Sequence, residues 1–493
     1  MNIFLGIDQS TSATKALLFD EDLELLDKVS YSHRQIYPSP GWVEHDAEEI
    51  YQNTLKAARS LLDKHSRNVV SLSITNQRET FVIFERSTGK PLYNAIVWQC
   101  RRGEAICREM VEAGHASLVQ DRTGLLVDTY FPASKIKWLL KERPDIRNQI
   151  ENGQALIGTI DAYLVYRLTQ RRVFATDHTN ASRTLLYNIN RLDWDPELCD
   201  LFDIPKVALP EVHESRSSFG ETDLEGYLPD PLPIWGVMGD SQAALFAQRC
   251  FQPGSAKVTF GTGSSILLNI GPQKKAPPSG IVTAVGWVIN SEPTYAYEGI
   301  TNFTGATIQW LRDQLQLIRS AEETEALAES VTDNGGVFLV PAFVGLSAPY
   351  WRSDARAGIL GLTPGATKAH VVRAALESIA FIVNDVLQLM GQEANLELKL
   401  IQADGGAVQN RFLMQFVADI SGLVVRASTL PELSALGAVL SGMLGMGVYT
   451  SLDHIQKIQA DFREYTPVMP ADRAAGLISD WQEAVAKILY SRD

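Results

Sequence analysis

IFLGID-QSTSAT-KALLFD (residues 3–20) and AKVTF-GTGSS-ILLNI (residues 256–270) decide the reading of this chain. Each is an apolar or β-branched run, a tight polar loop and a second apolar run, the pattern of a strand-turn-strand unit. Both loops carry hydroxyls and backbone N–H groups with little side-chain bulk. Such loops cradle phosphate, because successive amides point at the anion and small residues allow close approach. Two copies about 250 residues apart, the first holding an Asp at its strand end, predict an anionic nucleotide clamped between two related domains.

Composition limits the alternatives. The chain has 493 residues, 45% hydrophobic and 21% charged, the balance of a globular protein with more than one core. A net charge of −14 argues against a nucleic-acid partner, which would need a basic surface. Cys100, Cys107, Cys199 and Cys250 fall at no metal-ligand spacing and read as ordinary thiols. The stretch MNIFLGIDQS lacks a basic leader and reads as a strand. The uncharged stretch at 433–452 is broken by Gly437, Gly442, Gly445 and Gly447, which favours a buried helix and a loop over a membrane span. Together these features predict a cytoplasmic protein with no membrane partner.

Strand-like runs at 69–75, 80–84, 155–159 and 234–240 alternate with helical stretches such as 47–63, so the expected class is α/β with helix-covered sheets. Residues 209–233, rich in Pro, Gly and acids, are expected to be irregular surface structure. A helix is expected to open at Ser241 and to close before Pro253 and Gly254. The expected domains are 1–248, with the acceptor site and first loop, and 249–493, with the second loop and the nucleoside side. LKLIQAD-GG-AVQNRFLMQFVADI (398–420) supplies a strand, a Gly pair and an amphipathic helix, a third wall for a flat or charged ligand. No GxxxxGK[ST] occurs, which excludes a P-loop.

Longer blocks narrow the reading: IYPSPGWVEHD (36–46), ITNQRET (74–80), YNAIVWQCRR (93–102), YFPASKIKWLLKE (130–142), TDHTNASRTLLYNI (176–189) and PAFVGLSAPYW (341–351), with 357–377 beyond them. With these the chain resembles the FGGY family of carbohydrate kinases over residues 3 to 450, and within it the glycerol-kinase branch. The resemblance implies two ribonuclease-H-like domains of the sugar kinase, Hsp70 and actin superfamily, closing on ATP and Mg²⁺ in a central cleft. It implies ATP-dependent phosphorylation of a terminal hydroxyl of a small polyol, glycerol first. It leaves homodimer and homotetramer both open.

Residue by residue, the resemblance places Asp240, in GVMGDSQAALF, as the general base, and Asp8 with Asp240 at a Mg²⁺ site reached through water. A carboxylate at a strand end facing a cleft can take the proton of an attacking hydroxyl, an effect of about 10²–10⁴ in rate. Thr11, Ser12, Thr14 and Lys15 match the first phosphate loop, and Thr262 and Gly263 the second. Gly305, Gln309, Gly406 and Asn410 match the adenosine side. Arg78, Glu79, Tyr130 and Asp240 match the groups that hydrogen-bond the polyol, with Trp98 against its carbon skeleton.

The sequence departs from the family pattern at several positions. Ser241 stands where glycerol kinases have Gln, and Ser265 where they have an aromatic residue. Both remove volume from one pocket, so a larger acceptor (erythritol, threitol, xylitol, xylulose) is the alternative reading. Lys15 stands for a frequent Arg and Ser10 for a Gly, the latter a cost only if that position needs positive φ. Residues 221–234 lack the Gly-Gly and Arg pattern used by some bacterial glycerol kinases for fructose 1,6-bisphosphate, so that effector is expected not to inhibit. A non-catalytic nucleotide or polyol sensor is a further alternative, opposed by the retention of Asp8, Asp240 and both loops.

Overall fold

The computed structural model of the chain describes residues 2–65, 68–430, 432–458 and 461–490. Both expected hairpins form: Ile3–Gln9 pairs antiparallel with Ala13–Asp20, and Ser255–Phe260 with Ser264–Gly271. Each hairpin then seeds a sheet of the same plan. In the first sheet Ile3–Gln9 lies parallel to Val69–Asn76, which lies parallel to Leu232–Gly239, with Leu25–Ser32 and Ser218–Thr222 as antiparallel edges. In the second, Ser255–Phe260 lies parallel to Leu400–Asp404 and that to Val424–Ser428; Phe462–Tyr465 forms one antiparallel edge, and Glu292–Thr301 with Val282–Ile289 lies on the other side. The central strands are buried along nearly their whole length, as parallel strands covered on both faces must be.

Between the strands run helices whose apolar faces cover the sheets, among them Ala47–His65 and Lys368–Ala394. The second is the one helix among the described residues long and apolar enough to cross a membrane, but 83% of its apolar window is buried, which makes it a core element. The stretch at 433–452 holds the buried helix Leu433–Gly445, as expected. All four cysteines are free and buried.

Two expectations are corrected. Residues 209–233 are not wholly irregular: Glu211–His213 pairs parallel with Ala175–Asp177, and Ser218–Thr222 forms the edge of the first sheet, because short edge strands tolerate the polar residues that argued against a strand. The helix expected to open at Ser241 begins one residue earlier, Asp240–Ala247 with Gly239 as its cap. Ser10 is absent from the described residues with positive φ, so the cost foreseen for it does not arise.

The sheet plan concentrates chemistry at one rim. Gln9, Asn76 and Gly239 stand side by side in register at the carboxyl ends of three parallel strands. Asp8 therefore lies at the end of the first strand, Arg78 and Glu79 just past the second, and Asp240 just past the third. Carboxyl ends of parallel strands are where open α/β sheets bind ligands.

Candidate active site

Arg78 is the hub of a buried charge cluster at the sheet rim. Its Nη2 donates to Glu298 Oε1 at 2.7 Å, and its Nη1 to Glu298 Oε2 at 3.2 Å and to Gln242 Oε1 at 3.1 Å. Its Nε lies 3.1 Å from Asp240 Oδ1, yet that buried N–H makes no hydrogen bond of good geometry, which leaves a donor for an acceptor oxygen. Arg183 completes the cluster, with Nε to Glu79 Oε1 at 2.5 Å and Nη1 to Glu298 Oε2 at 2.5 Å. The side chains of Arg78, Glu79, Arg183 and Glu298 are all at most 5% exposed. Without the family match, an Arg-Glu pair in a strand-end loop reads as a surface salt bridge; here it is buried and networked.

Burial and charge oppose each other in this cluster. Burial works against ionisation of Glu298, but the Arg183 and Arg78 guanidiniums overrule it and hold the carboxyl down at about 2. For Glu79 burial wins and its carboxyl sits above the ordinary range, against the pull of Arg183 and Arg78. Asp240 is different: its side chain is 38% exposed and stands at the rim. Its Oδ1 accepts the N–H of Ser241 at 2.6 Å.

Trp98 and Tyr130 stand together, ring centroids 5.3 Å apart, and with Asn302, Phe303 and Val344 they line a cleft of about 780 Å³. Lys135 ties the loops that carry them: its buried Nζ donates to the carbonyls of Val97 and Trp98 at 3.2 Å and of Tyr130 at 3.3 Å. Ser265 and Glu298 project from one face of the second sheet, since Leu267 pairs with Glu298 and Ser265 is one alternation further along. The Ser265 hydroxyl is buried without a protein partner.

A second cleft, of about 630 Å³, brings together Thr262, Gly305, Gln309, Gly406 and Asn410, with Leu376 and Ile379 as apolar walls. Its volume suits a small molecule. At Gly406 a Cβ would meet no protein atom within 4 Å, so the space beside it is left for an occupant. The helix Gly305–Asp313 starts directly on the second loop: the N–H of Gly305 donates to Gly261 O at 2.9 Å, and that of Ala306 to Thr262 O at 3.0 Å. A Cβ on Gly263 would lie 2.2 Å from Thr301 O, which accounts for glycine there. Asn410 also serves the fold, capping the helix Arg411–Ser421 through Leu413 N–H at 2.9 Å and donating to Thr324 Oγ1 at 3.0 Å.

The first loop is held from behind. Thr11 O meets His33 Nε2 at 2.9 Å and accepts from Gln35 Nε2 at 3.1 Å; Thr11 Oγ1 accepts from Trp98 Nε1 at 3.0 Å. Ser12 is exposed at the tip, whereas Thr14 is fully buried inside its strand. The alternation of strand residues turns Thr14 away from the surface, so its hydroxyl does not face the cleft as the family match implied. Lys15 pairs with Glu432 at 2.5 Å and with Asp8 at 3.6 Å.

Asp8 is buried, and burial pushes its carboxyl up to about 6, against Lys15 and with help from the charges of Glu432 and Asp240. Among the described residues no group of three or more His, Cys, Asp or Glu is arranged as a metal cage. Two carboxylates at one rim, one of them buried and raised chiefly by that burial, instead suit Mg²⁺ held through its water shell and a phosphate ligand.

Glu298, Arg183, Gln242, Lys135 and Glu432 were not singled out from the sequence. Arg183 and Lys135 lie inside quoted blocks, but Asp177, Lys137, Lys141 and Glu142 lie there too, so charge alone did not single them out. Glu298, in TYAYEGI, offered only a lone acid in a strand-like run.

A family model described as the N-terminal domain of the FGGY family of carbohydrate kinases matches residues 3–247, and one for its C-terminal domain matches residues 256–446. The chain is 47% identical to glycerol kinase 1 of Thermotoga maritima over 488 residues, 98% of this chain and 99% of that one. Among solved structures, Plasmodium falciparum glycerol kinase with ADP superposes with a TM-score of 0.95 at 36% identity, covering 100% of this chain and 99% of that one. A xylulose kinase of Lactobacillus acidophilus, at 23% identity and a TM-score of 0.89 over 100% of this chain and 99% of that one, shares the fold.

Proposed function

Because the chain belongs to the FGGY family of carbohydrate kinases, we propose that it transfers the γ-phosphoryl group of ATP to a terminal hydroxyl of glycerol, giving glycerol 3-phosphate. The observation that carries the reading is Asp240, a solvent-facing side chain at a parallel-strand end, its Oδ1 3.1 Å from a buried Arg78 Nε that has no hydrogen-bond partner. An acceptor hydroxyl placed beside the two, within hydrogen-bond reach of both, donates its proton toward Asp240 and accepts from Arg78. Glu79 and Tyr130 fix the other hydroxyls, and Trp98 covers the carbon skeleton. A small polyol needs this mixture of fixed polar partners and one apolar face.

As the hydroxyl oxygen attacks the γ-phosphorus, Asp240 takes its proton and the bond to the leaving ADP oxygen breaks in line. The backbone of Thr262 and Gly263 and the ammonium of Lys15 hold the phosphates from the two loops, and Gly305, Gln309, Gly406 and Asn410 hold the nucleoside. Asp8 and Asp240 would hold Mg²⁺ through water; bound there, it supplies neutralisation of phosphate charge. Because the loops sit on different sheets, the domains must close on one ATP, which also excludes water.

The test is a coupled ADP-release assay comparing glycerol with erythritol, threitol, xylitol, ribitol, xylulose and gluconate. Glycerol should give the highest kcat/KM. Asp240→Asn should lower kcat by about 10²–10⁴ while nucleotide affinity is kept; unchanged turnover would remove Asp240 from the mechanism. The orphan Ser265 hydroxyl and the small Ser241 support a second reading, a longer acceptor, and a tenfold preference for a tetritol or pentitol would establish it. Fructose 1,6-bisphosphate should leave the rate unchanged.

A further inference from the structure

We infer that Glu298, a residue of the second sheet, is the positioning residue that sets the acceptor-binding geometry of Arg78 on the first, so that acceptor recognition is built jointly by both domains. The inference rests on the kinase reading above and deepens it.

Glu298 stands on the strand Glu292–Thr301, while Arg78, Glu79, Arg183 and Asp240 all belong to the N-terminal half of the chain. Its side chain is fully buried, and it is taken up by protein partners. Both of its oxygens are engaged: Oε1 by Arg78 Nη2, and Oε2 by Arg78 Nη1 and Arg183 Nη1. A guanidinium gripped at both Nη atoms has its plane fixed, and only the Nε–H edge remains to face elsewhere. That edge is the one left without a hydrogen-bond partner beside Asp240.

The alternative partners of Arg78 show why this matters. Asp240 lies 3.1 Å and Glu79 3.8 Å from its Nε, and either carboxylate could take the fork end-on. Arg78 paired bidentately with Asp240 would occupy the carboxylate that must receive the acceptor proton. Glu298 holds the fork away from that pairing, Gln242 supports it with a third acceptor, and Arg183 balances the charge that Glu298 adds. Arg183 also lies over the rings of Phe131 and Tyr130, at 5.1 and 5.9 Å, so the same carboxylate orients both the arginine and the tyrosine side of the acceptor pocket.

Steady-state kinetics of Glu298→Gln test this, using whichever polyol the wild-type enzyme turns over best, so that failure of glycerol as the substrate leaves the test intact. The amide keeps the shape and removes the charge. The expected result is a fall of at least thirtyfold in acceptor kcat/KM, with the KM for ATP unchanged within twofold. In an Arg78→Lys background, where there is no fork to orient, the same substitution should cost less than threefold. Glu298→Asp, which keeps the charge and shortens the reach, should fall between wild type and Glu298→Gln, and it carries the test if the amide variant does not fold. An acceptor kcat/KM within threefold of wild type, equal losses for acceptor and ATP, or an undiminished effect in the Arg78→Lys background would overturn the assignment.

Discussion

Lys135 and Asp161 show how single buried charges bear on this enzyme. Lys135 is fully buried, and burial lowers its ammonium to about 8; it persists because three carbonyls surround it. Lys135→Met keeps the volume and strands those carbonyls, each at a cost of about 1–3 kcal/mol. A loss of several °C in Tm and a raised acceptor KM are expected, since Trp98 and Tyr130 hang from the loops it joins. Asp161 is fully buried beside Asp177, and burial together with that charge pushes it up to about 7, against a hydrogen bond from Thr176. The folded state thus holds a proton that the unfolded chain releases near pH 4. Stability from this group is greatest below that pH and is lost as pH rises to about 7, by up to ~1.4 kcal/mol per unit. Asp161→Asn should therefore stabilise the protein more at pH 8 than at pH 5, read by urea unfolding at both; an equal effect at the two would show that Asp161 does not titrate so.

The turn that follows Ala175–Asp177 does more than its length suggests. Asp177 caps the short helix His178–Ala181 through the N–H groups of Thr179 and Asn180. Thr179 Oγ1 donates to Asp177 Oδ2 at 2.7 Å and accepts the N–H of Gly239 at 2.8 Å, next to Asp240. Asn180 exchanges hydrogen bonds with Asn76, at 3.0 and 3.1 Å. The element thereby ties the strand ends that present Arg78 and Asp240. Thr179→Val should lower kcat about tenfold, the scale of losing one hydrogen bond of about 1.4 kcal/mol, with acceptor KM less affected, and Thr179→Ser should restore it. The block TDHTNASRTLLYNI was recognisable in the sequence, but its task was not, because the partners of Thr179 and Asn180 lie 60 and 104 residues away.

At the scale of the molecule, the helix Leu433–Gly445 comes from the C-terminal half yet packs on the first sheet. A Cβ on Gly437 would lie 1.8 Å from Ala243 O, one on Gly445 1.8 Å from Arg216 O, and one on Gly236 2.2 Å from Ala438 O. Glycine lets backbone meet backbone here, so Gly437, Gly442 and Gly445, three of the glycines that argued against a membrane span, are contact points between halves of the chain. Gly437→Ala should cost about 1–3 kcal/mol and weaken ATP-driven closure, seen as a lower Tm and a smaller scattering change on adding nucleotide. An unaltered Tm would mean that the helix shifts freely.

Sequence alone determined the two Gly, Ser and Thr-rich hairpins, the α/β class and the placement of Asp8 and Asp240 at strand ends. These depend on the period of apolar residues and on turn chemistry, which are local. It also carried family blocks long enough to name Arg78, Glu79, Trp98 and Tyr130. Only the tertiary structure decided what holds those groups: Glu298, 220 residues from Arg78, Arg183, 104 from Glu79, and the glycine-lined seat of the helix Leu433–Gly445. Such pairs are made by sheet register and burial, and a charge becomes a positioning group only when folding removes it from water beside one particular partner.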